Sequence, residues 1–298
     1  MDGGSADRGA AGLEVAVPAR AGLGEGPVWD SAASRLIWVD IVGQRVHFYD
    51  PETGEDTSVA VEETPGVAIP RRDGGLVLAI GHGFAFLHPD GLLEWIERVP
   101  QGRVTARMND GNCDSAGRFW AGTMGLDAEA NAGALYRLDP DLTVSRVLDG
   151  VTESNGIDWS PDDKLMYYVD SMEHRIDVFD FDLGSGSMAN RRPFATIDEG
   201  EALPDGLTVD ADGYVWVALW GGAQVRRYAP DGSIERVIAL PTQQITSCAF
   251  GGPDFADLYI TSAREWLAPE VLDSEPDAGA LFRFRPGITG RAQRTFAG

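Results

Sequence analysis

An oxygen-bearing side chain followed by glycine, a short apolar run, a tight turn and a second apolar run recurs along this chain. That recurrence limits the folds open to it more than any other feature. In the clearest copy, Pro204-Asp205-Gly206 reads as a polar turn, Leu207-Thr208-Val209 as a strand, Asp212-Gly213 as a hairpin turn and residues 214–218 as a second strand. Glu25-Gly26-Pro27-Val28-Trp29-Asp30 running into Leu36-Ile37-Trp38-Val39 repeats the phrase, as does Asn155-Gly156-Ile157-Asp158-Trp159 running into residues 165–169. Six units begin at residues 25, 65, 110, 155, 205 and 246, spaced by 40 to 50 residues, which is the repeat length of propeller blades.

Each unit carries three clear strands and a weaker fourth, such as residues 55–61, 144–148 or 234–238. Helical periodicity is almost absent. The expected fold is therefore all-β, a six-bladed β-propeller with four-stranded antiparallel blades. Residues 1–11, rich in Gly, Ala, Asp and Ser, read as a flexible tail, and residues 12–298 as a single propeller domain. A closed ring must tie its first and last blades together, or open edges remain. The alternating stretch Leu13-Glu14-Val15-Ala16-Val17 is expected to pair as the outer strand of the blade begun at Thr246, with residues 291–296 as the competing candidate.

Composition excludes several partners. Of 298 residues, 47 are acidic and 24 basic, a formal net charge of −23 that repels phosphate backbones and anionic membrane surfaces. With no signal-peptide h-region and no long apolar run, the expectation is a cytoplasmic protein, a monomer or weak homo-oligomer, with no nucleic-acid or membrane partner. Cys113 and Cys248 lie outside any CxxC or Cys/His cluster and read as buried small apolar residues. The histidines, His47, His82, His88 and His174, are scattered without ligand spacing. Trp29, Trp38, Trp159 and Trp216 occupy strand positions suited to the core, whereas Trp220, before Gly221-Gly222, can reach a pocket wall.

Innermost strands line the central channel of a propeller, so the residues that begin them ring one mouth. The aligned set is Glu25, Pro65, Asp110 with Asn109 beside it, Asn155, Asp205 and Thr246. Carboxylates and amide carbonyls without Cys or His suit a hard cation such as Ca²⁺, Mg²⁺ or Mn²⁺, with Zn²⁺ or Fe²⁺ tolerated. Asp-Gly and Asn-Gly are also ordinary turn signals, and that reading fits Asp73-Gly74, Asp90-Gly91 and Asp231-Gly232. Glu25 stands apart, because Glu is not a favoured turn residue.

Leu23-Gly24-Glu25-Gly26-Pro27-Val28-Trp29, Arg107-Met108-Asn109-Asp110-Gly111, Phe119-Trp120-Ala121-Gly122-Thr123-Met124, Ser154-Asn155-Gly156 and Pro204-Asp205-Gly206 together resemble the signature segments of the gluconolactonase/regucalcin (senescence marker protein) family. The resemblance implies a six-bladed propeller acting as a metal-dependent sugar lactonase. It implies one divalent cation held by Glu25, Asn155 and Asp205, and substrate contacts from Arg107 and Asn109. Where the family's lid loop carries a Glu after Gly-Thr-Met, this chain has Gly125-Leu126-Asp127, and Asp127 is its shorter counterpart.

On that basis the expected reaction opens an aldono-lactone of the gluconolactone, xylonolactone or arabinonolactone type to the aldonic acid. Either Asp205 takes the proton of the attacking water, or a hydroxide on the cation attacks in its place. Two alternatives stand beside it: a calcium-binding, regucalcin-like protein without turnover, and an esterase of other specificity on the same scaffold.

Overall fold

The computed structural model describes residues 12–100, 105–198, 200 and 202–298. The expected tail at residues 1–11 lies outside them. The described chain forms six four-stranded sheets, and every strand pair within them is antiparallel. The strands with alternating apolar residues form as the pattern predicts, including the weak outer ones, Asp56–Ala60, Val144–Val151 and Ile234–Ala239. The innermost strands, Gly24–Asp30, Pro65–Pro70, Ala106–Cys113, Ser154–Trp159, Leu203–Val209 and Ile245–Gly251, neighbour one another in cyclic order, so the sheets stand as blades around a channel. Among the described residues no helix is long and apolar enough to cross a membrane.

Between the two candidates for closing the ring, the N-terminal strand Glu14–Val17 takes the place. It pairs with Leu281–Phe284 and completes the sheet begun at Ile245–Gly251. Residues 291–296 pair with no blade edge as a fourth strand. They cross the far mouth of the channel, where Phe296 is fully buried and exchanges backbone hydrogen bonds with Pro70 and Arg72.

The apolar core is divided among the gaps between blades. Trp38, Trp120, Trp159 and Trp216 are each at most 1% exposed, and Trp29 is buried with them. Cys113 and Cys248 are buried free thiols. Several buried aspartates are structural: Asp114 Oδ2 accepts from Trp120 Nε1 at 3.0 Å, and Asp210 Oδ2 from Trp216 Nε1 at 2.9 Å. Their other oxygens take amide hydrogens of the following turn.

Each innermost strand breaks register near its start: Glu25/Val28, Pro65/Val67, Met108/Gly111, Ser154/Ile157, Pro204/Leu207 and Ile245/Ser247. The sequence reading of Pro204-Asp205-Gly206 as a turn is therefore corrected. These residues lie inside the strand Leu203–Val209, at a β-bulge. A bulge bends the strand and re-aims its side chains, which is how six strands present their upper ends to one axis. Several of the glycines at these bulges serve close approach. A Cβ on Gly66 would sit 1.9 Å from the Asn109 carbonyl oxygen, and one on Gly156 would sit 2.5 Å from the Leu207 nitrogen.

Candidate active site

A cavity of about 440 Å³ opens at the mouth where the bulges converge. Glu25, Asn155, Asp205, Arg107, Asn109 and Asp127, each predicted from sequence, all line it. A larger cleft of about 560 Å³ opens at the opposite face between the first two blades, walled by Trp29, Arg35, Phe48 and Arg71, and none of the predicted site residues reaches it. Of the aligned ring, Thr246 is structural, donating from Oγ1 to the Gly24 carbonyl at 2.6 Å, and Pro65 offers no polar side chain. Asp110 departs from the sequence reading: its bulge turns Asn109 to the cavity, while Asp110 lines a small void of about 20 Å³ within the channel, beside Ser247, Cys248 and Gln293.

The two carboxylates are buried with little to neutralise them. Glu25 and Asp205 are 5% and 6% exposed. Burial pushes the Glu25 carboxyl well above the usual carboxylate range and the Asp110 charge pushes it further, against the opposing pull of the Gly26 amide and Arg107. Burial raises Asp205 as well, followed by repulsion from Glu25, Glu153 and Asp110. Asp110 itself is raised by burial to about 6. Arg107 is the guanidinium that lines this cavity, and burial lowers its pKa against the attraction of Glu153, Glu25 and Asp205.

Hydrogen bonds orient the amides. Asn155 Nδ2 donates to Ser171 Oγ at 2.9 Å, which leaves Oδ1, 3.3 Å from Asn109 Nδ2, as its donor atom for a cation. Asn109 is largely committed within the protein: Nδ2 donates to the Ser154 carbonyl at 2.8 Å, and Oδ1 accepts from Arg107 Nη1 at 2.5 Å. Its geometry therefore positions Arg107 as much as it offers a contact of its own. Among the described residues no three His, Cys, Asp or Glu side chains group as a metal site. The candidate set has two carboxylates, and its third donor is an amide. Two buried, mutually repelling carboxylates and an oriented amide oxygen fit a hard divalent cation, which would relieve the repulsion and satisfy the oxygens.

The family model described as the SMP-30/Gluconolactonase/LRE-like region matches residues 23–264. The chain belongs to this family. It is 38% identical to regucalcin of Xenopus laevis over 294 residues, covering 96% of this chain and 98% of that one. It is 37% identical to a putative sugar lactone lactonase of Bacillus subtilis over 281 residues, covering 94% and 96%. Among solved structures, a calcium-binding regucalcin from Agrobacterium tumefaciens superposes with a TM-score of 0.91 at 29% identity, covering 96% and 97%. The family thus includes regucalcins and sugar lactone lactonases.

Sequence reasoning missed Glu153, which also lines the cavity and whose carboxyl is raised by burial, with Arg107 pulling it down. The signal was present. Glu153 precedes Asn155 by two residues, and period two places them on one face of an extended chain. Trp220 reaches the cavity wall as expected, and Trp266 joins it from a loop that carries no repeat signature.

Proposed function

We propose that this family member is a metal-dependent lactonase that opens an aldono-lactone of the gluconolactone, xylonolactone or arabinonolactone type. What supports the reading is the convergence of Glu25, Asn155 and Asp205, from corresponding bulges of blades one, four and five, on a single cavity that also holds Arg107. These three residues would hold one divalent cation. Calcium, named for the Agrobacterium relative, is the first candidate, with Mg²⁺, Mn²⁺, Zn²⁺ and Fe²⁺ behind it. Bound there, the cation supplies Lewis-acid polarisation of the lactone carbonyl.

The protein's own groups do the rest. Asp205 takes a proton from water as its oxygen bonds to the carbonyl carbon, and returns that proton to the ring oxygen when the carbon–oxygen bond of the ring breaks. Arg107, held by Asn109 Oδ1, orients substrate hydroxyls, and Asp127 contacts them from the rim.

The test is hydrolysis of a sugar-lactone panel with each metal, with chelator, and in Asp205→Ala. Activity that survives both chelation and the substitution sinks the proposal. A second reading, cation binding without turnover, has support in the calcium-binding relative. Metal-dependent stabilisation with no hydrolysis of any lactone would favour it.

A further inference from the structure

The floor of the cavity is polar, whereas its rim, Asp127 apart, is mostly apolar. Leu126 and Trp266, 56% and 72% exposed, line it together with Met124, Leu203 and Trp220. Large apolar side chains gathered in water around a cleft mark a surface that a ligand covers. Trp266 meets Trp220 edge to face, with centroids 5.6 Å apart and planes at 70°, so the two indoles form one apolar wall. The turns joining second and third strands point to this mouth, and the exposed Val42 and Met172 stand on the corresponding turns of blades one and four.

Trp266 is held in place against its own conformational preference. Its φ is 60°, the left-handed region that bulky residues rarely adopt. The turn is tied by the amides of Arg264 and Glu265, which donate to the Gly22 carbonyl at 3.0 and 2.9 Å. Farther along the loop, Glu275 accepts from Thr242 Oγ1 at 2.8 Å and from the Gln243 amide and side chain at 2.9 and 2.7 Å. An exposed indole on a positive-φ backbone, packed on Trp220 and carried by a loop tied to Gly22, has the character of a ligand clamp.

A free aldono-lactone, with hydroxyls around its ring, satisfies the floor and leaves this rim in water. An apolar substituent would cover it. The cavity, about 440 Å³, falls in the range of roughly 300–1,000 Å³ that encloses ligands larger than a bare sugar ring. We infer that the substrate is an aldono-lactone made amphipathic by a substituent: its ring ester and hydroxyls lie on the polar floor, and an alkyl or aryl substituent lies against Trp266, Trp220 and Leu126, which set specificity. The inference rests on the lactone-opening reading of the floor.

Two six-membered lactones separate rim from floor: gluconolactone and δ-decalactone, which carries a pentyl chain. Trp266→Ser and Leu126→Ser change exposed side chains, so the folded core is untouched. In Trp266→Ser, kcat/KM for δ-decalactone falls by roughly 10- to 50-fold and that for gluconolactone by less than about twofold, with a smaller loss of the same kind in Leu126→Ser. Equal losses on both substrates would put Trp266 against the ring itself, and no loss on either would remove it from specificity; each result overturns the inference. Calorimetry with δ-valerolactam and its pentyl derivative reads the rim without turnover. Tighter binding of the pentyl lactam, abolished by Trp266→Ser, upholds the rim even if no lactone is opened, in which case only the reading of the floor fails. Equal binding of the two lactams overturns the rim.

Discussion

Asn155 and Asp158 lie three residues apart on one innermost strand, yet they serve opposite mouths of the channel under opposite electrostatic regimes. At the far mouth Asp158 receives Arg294 Nη1 at 2.8 Å and Arg291 Nη2 at 3.3 Å, and the amides of Val209 and Trp159, each at 2.7 Å. At the near mouth Glu25 and Asp205 accept from the amides that follow them and repel each other, with Arg107 committed to Asn109. Where the protein neutralises a buried carboxylate with its own guanidinium groups, the carboxylate is holding structure. Where it leaves buried carboxylates facing one another across a cavity, the missing charge is one that a ligand brings.

The largest expected effect breaks this contrast at the near mouth. Asp205→Ala lowers kcat/KM toward the best lactone by about a thousandfold or more, and removes the rise in melting temperature that added metal gives the parent protein. Glu25→Ala behaves alike. Retention of either property places the cation elsewhere.

At the far mouth, Asp158→Ala removes the carboxylate that two arginines and two amides share and costs about 2–4 kcal/mol of stability in chemical denaturation, less than a fully buried pair because Arg294 keeps Asp163 and Ser115 and Arg291 keeps the Trp159 and Val209 carbonyls. Its kcat/KM at a temperature where it is folded stays within about twofold of the parent. A large loss of activity would mean that the two mouths are coupled.

The channel between them responds to pH. Asp110 titrates near 6 in the folded protein and near 3.9 unfolded, so the stability it contributes is full below about pH 4 and lost as pH rises through about 6. Asp110 therefore contributes about 1–2 kcal/mol more to the metal-free protein at pH 5 than at pH 7, beside gains of the same sign from Glu25, Asp205 and Glu153, whose carboxyls burial also raises. Carboxylates held low, such as Asp257 with its bonds from Arg285 and Arg283 outweighing burial, lose their contribution only below about pH 4, outside this window. Asp110→Asn lowers the rise by about that amount, and a denaturation series showing the same slope in both proteins would refute the assignment. The smallest effect belongs to the rim: Asp127→Asn, at an exposed position, changes KM for a sugar lactone by about threefold with kcat nearly constant.

Much of this was legible before any coordinates. Period-two alternation and evenly spaced units specify strands, blade count and the residues that begin each innermost strand, because a propeller repeats one local solution six times. The bulges were not legible. Asp205-Gly206 has the composition of a turn, and only the register break against residues 217–219 shows it within a strand. The direction of Asp110 was hidden for the same reason, since one extra residue in a strand reverses which neighbour faces the cavity. Residues 291–296 alternate weakly enough to pass for an edge strand. Their role as a strap depends on Phe296 finding a hole among Phe86 and Phe119, a tertiary fact without a local signature.

The pairing of Glu14–Val17 with Leu281–Phe284 joins segments roughly 270 residues apart along the chain. As the chain leaves the ribosome, blades one to five can assemble in turn, while the first strand waits for a partner roughly 270 residues downstream. Glu25 lies where blade one meets the innermost strand of that same last blade, with Thr246 gripping the carbonyl of Gly24. A chain that has formed most of its blades but not this last one therefore lacks one wall beside Glu25, which makes the proposed lactonase activity a reporter of ring closure.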